Sequence, residues 1–450
     1  MNLPSELTGL HFSRRDMLRT GALATAGLLL GKRPGLAALS TSIQPPIPQK
    51  AKAVIQVWLW GGAAHLDTFD PKPDAGYDYC GPYNKPIKTS TDGLMINQLL
   101  TQLATQADKY SIIRGMTHGS FSHETAAYMV QTGHDSNDRL VYPSIGAVVS
   151  LFKGYDAGYN GLVPPYVVLT ELQGRFSECG FLGPRYQPFA TGGDPSRKPF
   201  AVQGIVQESI STRRQRERRN LLQKLDTFGS AMSGDPNITE YNHCGEEAYD
   251  MILGDGGKIF DLAEEKDQLR DSYGRNSFGQ SCLVARRLVE HGVRFITINY
   301  KGWDTHKENF VTLDRKLPEL DKGLATLIQD LSQRGLLDST IVWCSGEFGR
   351  QPKIDWQSPW NGGRNHWGKV FSALVAGGGF KGGHVVGASD AKGEEVKDRP
   401  VYPWDLTATM DQLLGIDPDS TFPHIGDSAI KLTQVVANGI KSGGRLKEIV

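Results

Sequence analysis

Cysteine is scarce and scattered. Cys80, Cys179, Cys244, Cys282 and Cys344 form no C-x-x-C pair, which argues against a disulfide scaffold or a thiolate zinc site, although an oxidising compartment permits a bridge. Net charge is missing as well. Lys and Arg total 49 and Asp and Glu total 49, so composition gives no global pull toward nucleic acid or an anionic surface. Beyond the N-terminal stretch no apolar run is long enough to span a bilayer. No G-x-S-x-G elbow is present, which speaks against a Ser-His-Asp hydrolase. The glycine clusters Gly377-Gly378-Gly379 and Gly382-Gly383 lack the strand-to-helix context of a phosphate loop and read as hairpin turns.

The N-terminus carries a sorting pattern. Ser13-Arg14-Arg15-Asp16-Met17-Leu18-Arg19 is a twin-arginine signal, followed by the short apolar stretch Gly21 to Leu30, and residues 1–38 are expected to be removed on export. Residues 39–52, with Pro45-Pro46 and Pro48, read as an extended linker. The expected partner at this stage is the twin-arginine export machinery, and the expected location is the periplasm or cell envelope. No transmembrane segment is expected in the mature chain, and no nucleic acid partner.

Residues 53–450 read as a single domain with a helical insertion at about 184–271. Ala53 to Trp60 is a near-continuous apolar run of the kind a buried parallel strand needs. Further strands are predicted at Tyr110 to Arg114, Pro165 to Leu169, Phe295 to Ile298, Thr340 to Trp343 and Val370 to Val375. Helical spacing separates several of them, notably Leu317 to Leu331, closed by Gly335, and strand-helix alternation selects an α/β fold. The basic run Arg213 to Arg219 precedes Leu221, Leu222 and Leu225 and reads as the solvated face of a helix.

The chemistry-bearing residues follow strands. Asp304 and His306 come after one predicted strand, Glu347 and Arg350 after another, and His366 lies in the next loop. In an open α/β sheet, ligands collect beyond the carboxyl ends of strands, and carboxylate and imidazole groups are suitable ligands for Zn²⁺. An oxygen-rich site would suit Mg²⁺, Mn²⁺ or Ca²⁺ instead. Arg350 is expected to pair bidentately with a phosphate or sulfate oxygen. A second group lies earlier: His65 and Asp67 after the first strand, then His118, Ser120, Ser122, His123, Glu124 and Thr125 after the second. Ser122 and Thr125 are the candidates for an attacking hydroxyl, and His123 for its partner.

Trp60-Gly61-Gly62 with His65-Leu66-Asp67-Thr68-Phe69-Asp70-Pro71-Lys72, the His118/His123 loop with Thr132-Gly133, Gly302-Trp303-Asp304-Thr305-His306, Gly346-Glu347-Phe348-Gly349-Arg350 and His366-Trp367-Gly368 resemble an exported bacterial family. That family is catalogued as a domain of unknown function, is often labelled sulfatase-like, and is placed in the alkaline phosphatase-like superfamily. The resemblance implies a three-layer sandwich with a central, mostly parallel sheet. It also implies metal ligands at Asp67 or His65, Asp304 with His306, Glu347 and His366, and a nucleophile in the Ser122 to Thr125 region; the reading of the loops adds His118 to the candidate ligands and puts Ser122, His123, Thr125 and Arg350 in catalytic roles. The chain departs from the superfamily plan at two points. Gly61-Gly62 stands where a first metal-binding aspartate is usual, and Glu347 has no adjacent histidine, so one metal site is expected rather than a pair. Cys282-Leu283-Val284-Ala285-Arg286 has Val284 where a formylglycine sulfatase carries proline, which excludes that cysteine chemistry. The activity implied is metal-dependent hydrolysis of small-molecule or glycan phosphate or sulfate esters. The alternative is a non-catalytic exported protein using the same cleft to bind an anionic glycan or a partner.

Overall fold

The computed structural model of the chain describes residues 47–136, 140–172, 178–198, 200–205, 210–225, 245–246, 248–423, 429–437 and 439–450. The twin-arginine segment, most of the linker and Cys244 lie outside them.

Eight strands form one sheet. In chain order they are β1 (Ala53–Trp60), β2 (Tyr110–Met116), β3 (Tyr166–Leu169), β4 (Phe189–Ala190), β5 (Phe295–Lys301), β6 (Thr340–Ser345), β7 (Phe371–Ala376) and β8 (Val385–Val386). Across the sheet the order is β8-β2-β7-β6-β1-β5-β3-β4. All neighbours pair in parallel except β7, which runs antiparallel to both β2 and β6. This reversal places the start of β7 at the rim where the parallel strands end, since Phe371 pairs with Met116.

β1 explains the layering. Ile55, Val57 and Leu59 face one core with Cys282, Leu283, Leu317, Leu324 and Leu331. Val54 and Trp58 face the other, with Val130, Val148, Leu406 and Met410. A strand covered on both faces has no polar side, so its sequence is a continuous apolar run. Its one polar member, buried Gln56, is satisfied: it donates to Gln131 Oε1 at 3.0 Å and accepts from Thr297 Oγ1 at 2.9 Å. The longer helices among the described residues are α1 (His123–Thr132), α2 (Ile145–Lys153), α3 (Thr212–Leu225), α4 (Asp267–Tyr273), α5 (Ser277–Glu290), α6 (Asn309–Gln333) and α7 (Pro403–Leu413). α5 and α6 cover the first face, and α1, α2 and α7 the second. The result is a three-layer α/β sandwich.

Three local readings change. Residues 47–52, taken as the end of a linker, are docked, with the Lys50 and Ala51 N–H groups both donating to Leu413 O at 2.9 Å. Within 184–271 the structure places α3, which buries no residue, and α4, but also β4, which extends the sheet edge. The glycines at 377–379 turn the chain through positive φ, yet they do not make a hairpin, because β2 lies between β7 and β8.

Strand register brings the loops together. Trp60 pairs with Lys301, and Trp58 with Ser345, so the loops at 61, 302 and 346 emerge side by side. Gly61 has φ +114°, and a Cβ there would lie 2.2 Å from the Asp304 backbone nitrogen. The loop bearing Asp304 therefore occupies the space a side chain at 61 would need.

Candidate functional site

Three segments deliver four side chains. His123 opens α1, Asp304 and His306 follow β5, and His366 lies in a short ribbon pairing with Arg350 just before β7. Three imidazoles meet at one carboxylate. Asp304 Oδ1 lies 3.1 Å from His306 Nε2 and 3.3 Å from His366 Nε2, and Asp304 Oδ2 lies 3.4 Å from His123 Nε2. One ligand atom each from His123, Asp304 and His366 fall within 4.8 Å of one another. The His306 and His366 Nε2 atoms are only 2.9 Å apart, a contact that needs a proton or a cation between two lone pairs.

The far side of each ring fixes its tautomer. His123 Nδ1 donates to Glu347 Oε1 at 2.7 Å, and His366 Nδ1 to the Phe121 carbonyl at 2.8 Å. His306 Nδ1 meets Asn365 Oδ1 at 3.0 Å, and Asn365 Nδ2 donates to Asp355 Oδ2 at 2.8 Å, so its oxygen must face the ring. Every Nδ1 proton is thus committed to an oxygen, and three Nε2 atoms point inward. Outer partners that orient imidazoles in this way are the usual second layer of a metal site.

The electrostatics reflect the convergence. Hydrogen bonds with Asp304 and then Glu347 push His123 up to about 9 against the effect of burial. Burial pushes the Asp304 carboxyl up, but hydrogen bonds from His123 and His366 and the Arg350 guanidinium outweigh it and hold it well below the usual carboxylate range. Burial lowers His306, partly offset by Asp304.

Several expected site residues take other positions. Glu347 is fully buried and its carboxylate accepts the Gly61 N–H at 3.0 and 3.2 Å, so it orients His123 from behind the cluster. His118 donates from Nε2 to the Glu347 carbonyl at 2.7 Å and accepts the Ser120 N–H on Nδ1 at 3.0 Å. Both of its nitrogens are engaged, and burial lowers its pKa to about 4. His65 and Asp67 are buried away from the cluster. His65 Nε2 donates to the Gly393 carbonyl at 2.8 Å. Asp67 is held bidentately by Arg364 at 2.8 and 2.8 Å and by Asn309 at 2.9 Å. Arg350 was expected at an ester oxygen, yet it is buried and donates to the carbonyls of Gly61, Gly62 and Arg364 and to Asp304. It braces Asp304 and the β1 loop. Ser122 is the exposed N-cap residue of α1 and makes no side-chain cap bond; Thr125 is half-buried in the first turn.

Sequence reasoning missed Arg364, Asn365 and Asp355. Asn365 had one signal, its place beside His366. Arg364 had none, because its partner Asp67 is distant in the chain.

Comparison with known proteins came to three results. No curated protein matches the chain. Among solved structures, the lipoteichoic acid synthase LtaP from Listeria monocytogenes is similar at 10% identity and TM-score 0.41, over 88% of this chain and 78% of that one. A protein in the alkaline phosphatase superfamily from Vibrio parahaemolyticus is similar at 12% identity and TM-score 0.36, over 83% and 68%. The PsFucS1 sulfatase from Pseudoalteromonas sp. follows at 13% and 0.35, over 88% and 73%. At these TM-scores the likenesses carry no inference about chemistry. The third result is a family, described as "Protein of unknown function (DUF1501)", that matches residues 51–442; the chain belongs to the DUF1501 family.

Proposed function

We propose that this protein is an exported metal-dependent hydrolase of phosphate or sulfate esters. One observation carries the reading: three imidazole Nε2 atoms with committed Nδ1 protons converge on Asp304 at the carboxyl rim of the sheet. The donor chemistry fits a divalent ion. Three nitrogens and a carboxylate suit Zn²⁺ better than Mg²⁺ or Ca²⁺, which prefer oxygen. His123, His306, His366 and Asp304 would hold the ion, and when bound it supplies Lewis acidity toward an ester oxygen.

The rest of the reading concerns the chain's own groups. His123 is the first residue of α1, so the positive end of that helix faces the cluster, which favours an anionic ester there. Arg350 and Glu347 act as positioning residues, one holding Asp304 and the other His123. Ser122 stands at the N-cap of α1 and Thr125 lies in its first turn, and Ser122 is the more accessible hydroxyl. The twin-arginine pattern supports export of the folded protein to the periplasm or envelope.

A second reading has its own support. The Arg350 donors are committed within the protein, so this guanidinium is not available to the charge of a reacting ester. The cleft would then bind an anionic glycan or partner without turnover.

Metal analysis of the folded, exported protein tests both. Hydrolysis expects a near-stoichiometric divalent ion and turnover of an aryl phosphate or aryl sulfate, each lost in His306→Ala. Bound metal without turnover selects the binding reading, and protein that neither retains nor takes up a divalent ion removes the first.

A further inference from the structure

A second candidate site, apolar-walled with cationic side chains at its lining, lies in the segment between β4 and β5. A cavity of about 400 Å³ is lined by Arg197, Lys198, Lys258 and Arg270, with Phe200 and Phe260 among its apolar walls. That volume falls in the range of small-molecule sites. Asp261 is the acid in the lining, and its Oδ1 already accepts the Ala263 N–H at 2.9 Å.

Arg270 is the informative residue. It is 3% exposed and stands on α4. Its Nε donates to Gln280 Oε1 at 2.9 Å, while Gln280 Nε2 donates back to the Arg270 carbonyl at 3.0 Å and to the Gly274 carbonyl at 2.9 Å. Gln280 is itself fully buried, so the guanidinium is anchored at one edge. Neither Nη atom has a hydrogen-bond or ion-pair partner among the described residues. A guanidinium has five N–H donors, and the Arg270 Nη groups are not sealed off from solvent, so their open donors are left to whatever enters the cavity. The surroundings agree: burial lowers the Arg270 pKa, Arg275 lowers it further, and Asp267, Asp261 and Asp271 oppose this from a distance without pairing.

The other cations are less constrained. Arg197 reaches Asp194 at 4.0 Å with 83% of its side chain exposed, and Lys258 pairs with exposed Asp255 at 2.7 Å. Beside them Phe200 and Phe260 form an edge-on pair with centroids 6.1 Å apart.

We infer that this cavity binds an organic oxyanion, a sulfate or phosphate group carried on a ring, with the oxyanion on Arg270 and the ring against Phe200 and Phe260. A forked guanidinium presents parallel donors to two oxygens of such a group. The assignment does not depend on hydrolysis at the metal cluster, since none of the residues involved is shared with it.

The test is calorimetric titration of phenyl sulfate and of inorganic sulfate into the full chain carrying His306→Ala and His366→Ala, which takes two of the four inward-facing groups from the metal cluster as a competing site. Phenyl sulfate should bind, more tightly than inorganic sulfate. Arg270→Gln should weaken it about tenfold or more, the size of a lost charge-assisted pair. Because Arg270 is buried, the exposed double variant Arg197→Ser/Lys198→Ser serves as the second arm, expected to weaken binding about threefold and to flatten its salt dependence. Absence of binding, or affinity unchanged in both variants, overturns the site. Equal affinity for the two sulfates overturns the role of the phenylalanines.

Discussion

If the cluster holds a divalent ion as proposed, its affinity should depend steeply on pH, because a proton competes for the same atom. His123 Nδ1 is committed to Glu347, so the proton that titrates sits on Nε2, facing Asp304. With the pKa raised to about 9, Nε2 is free in only about one molecule in a hundred at pH 7. An ion must displace that proton, which weakens its apparent affinity about a hundredfold at pH 7 relative to the high-pH limit. The sign follows directly: affinity rises about tenfold per unit from pH 6.5 toward 9 through His123 alone, and at least one proton leaves per ion bound, with a second wherever one bridges His306 and His366. Chelator-buffered titrations at pH 6.5, 7.2 and 8.0, repeated in buffers of different ionisation enthalpy, give both slope and proton count. His123→Gln should bind more weakly at high pH with a much shallower slope. An affinity that is flat between pH 6.5 and 8.0, or that binds without releasing a proton, would refute the arrangement of His123 described above.

Other consequences are simpler to measure. Arg364→Ala leaves the fully buried Asp67 carboxylate without its bidentate partner and should cost about 3–5 kcal/mol in urea unfolding; a loss below about 1 kcal/mol contradicts that environment. Glu347→Gln keeps the shape but removes the charge behind His123; stability should fall by about 1–3 kcal/mol, and the His123 NMR titration midpoint should move down from about 9. His118 resists protonation in the folded chain, its pKa lowered from 6.5 to about 4, whereas the unfolded chain takes up the proton. Stability held above pH 6.5 is therefore lost progressively as pH falls from 6.5 through 4, and denaturation midpoints of His118→Gln should show less of that loss.

Strand ends were readable because parallel strands buried on both faces leave continuous apolar runs, and polar groups directly after them must lie at the rim. Asp304 and His306 directly follow a strand and are placed at the rim that way, His123 through the loop after β2, and His366 only by its place in the loop after Arg350. What each neighbour does was not readable. Glu347 and Arg350 look like site residues in sequence, and only the β1 loop folding over them shows that one accepts Gly61 N–H while the other reaches the Gly61 and Gly62 carbonyls. The reversal of β7 was also hidden, because periodicity carries no strand direction. Without that reversal, His366 would have no structural reason to reach the rim.

The spread of the inward-facing groups along the chain has a thermodynamic consequence. Only Asp304 and His306 are neighbours in the chain, while 123 and 366 lie far from them, so an unfolded polypeptide offers a cation at most one weak local pair. Nearly all the affinity of the assembled pocket would then appear as added resistance to unfolding, growing with the logarithm of free ion concentration. Loading would also come late in maturation, after long-range strand pairing has closed the loops, so stripping the ion should loosen the rim first and leave the buried sheet beneath it intact.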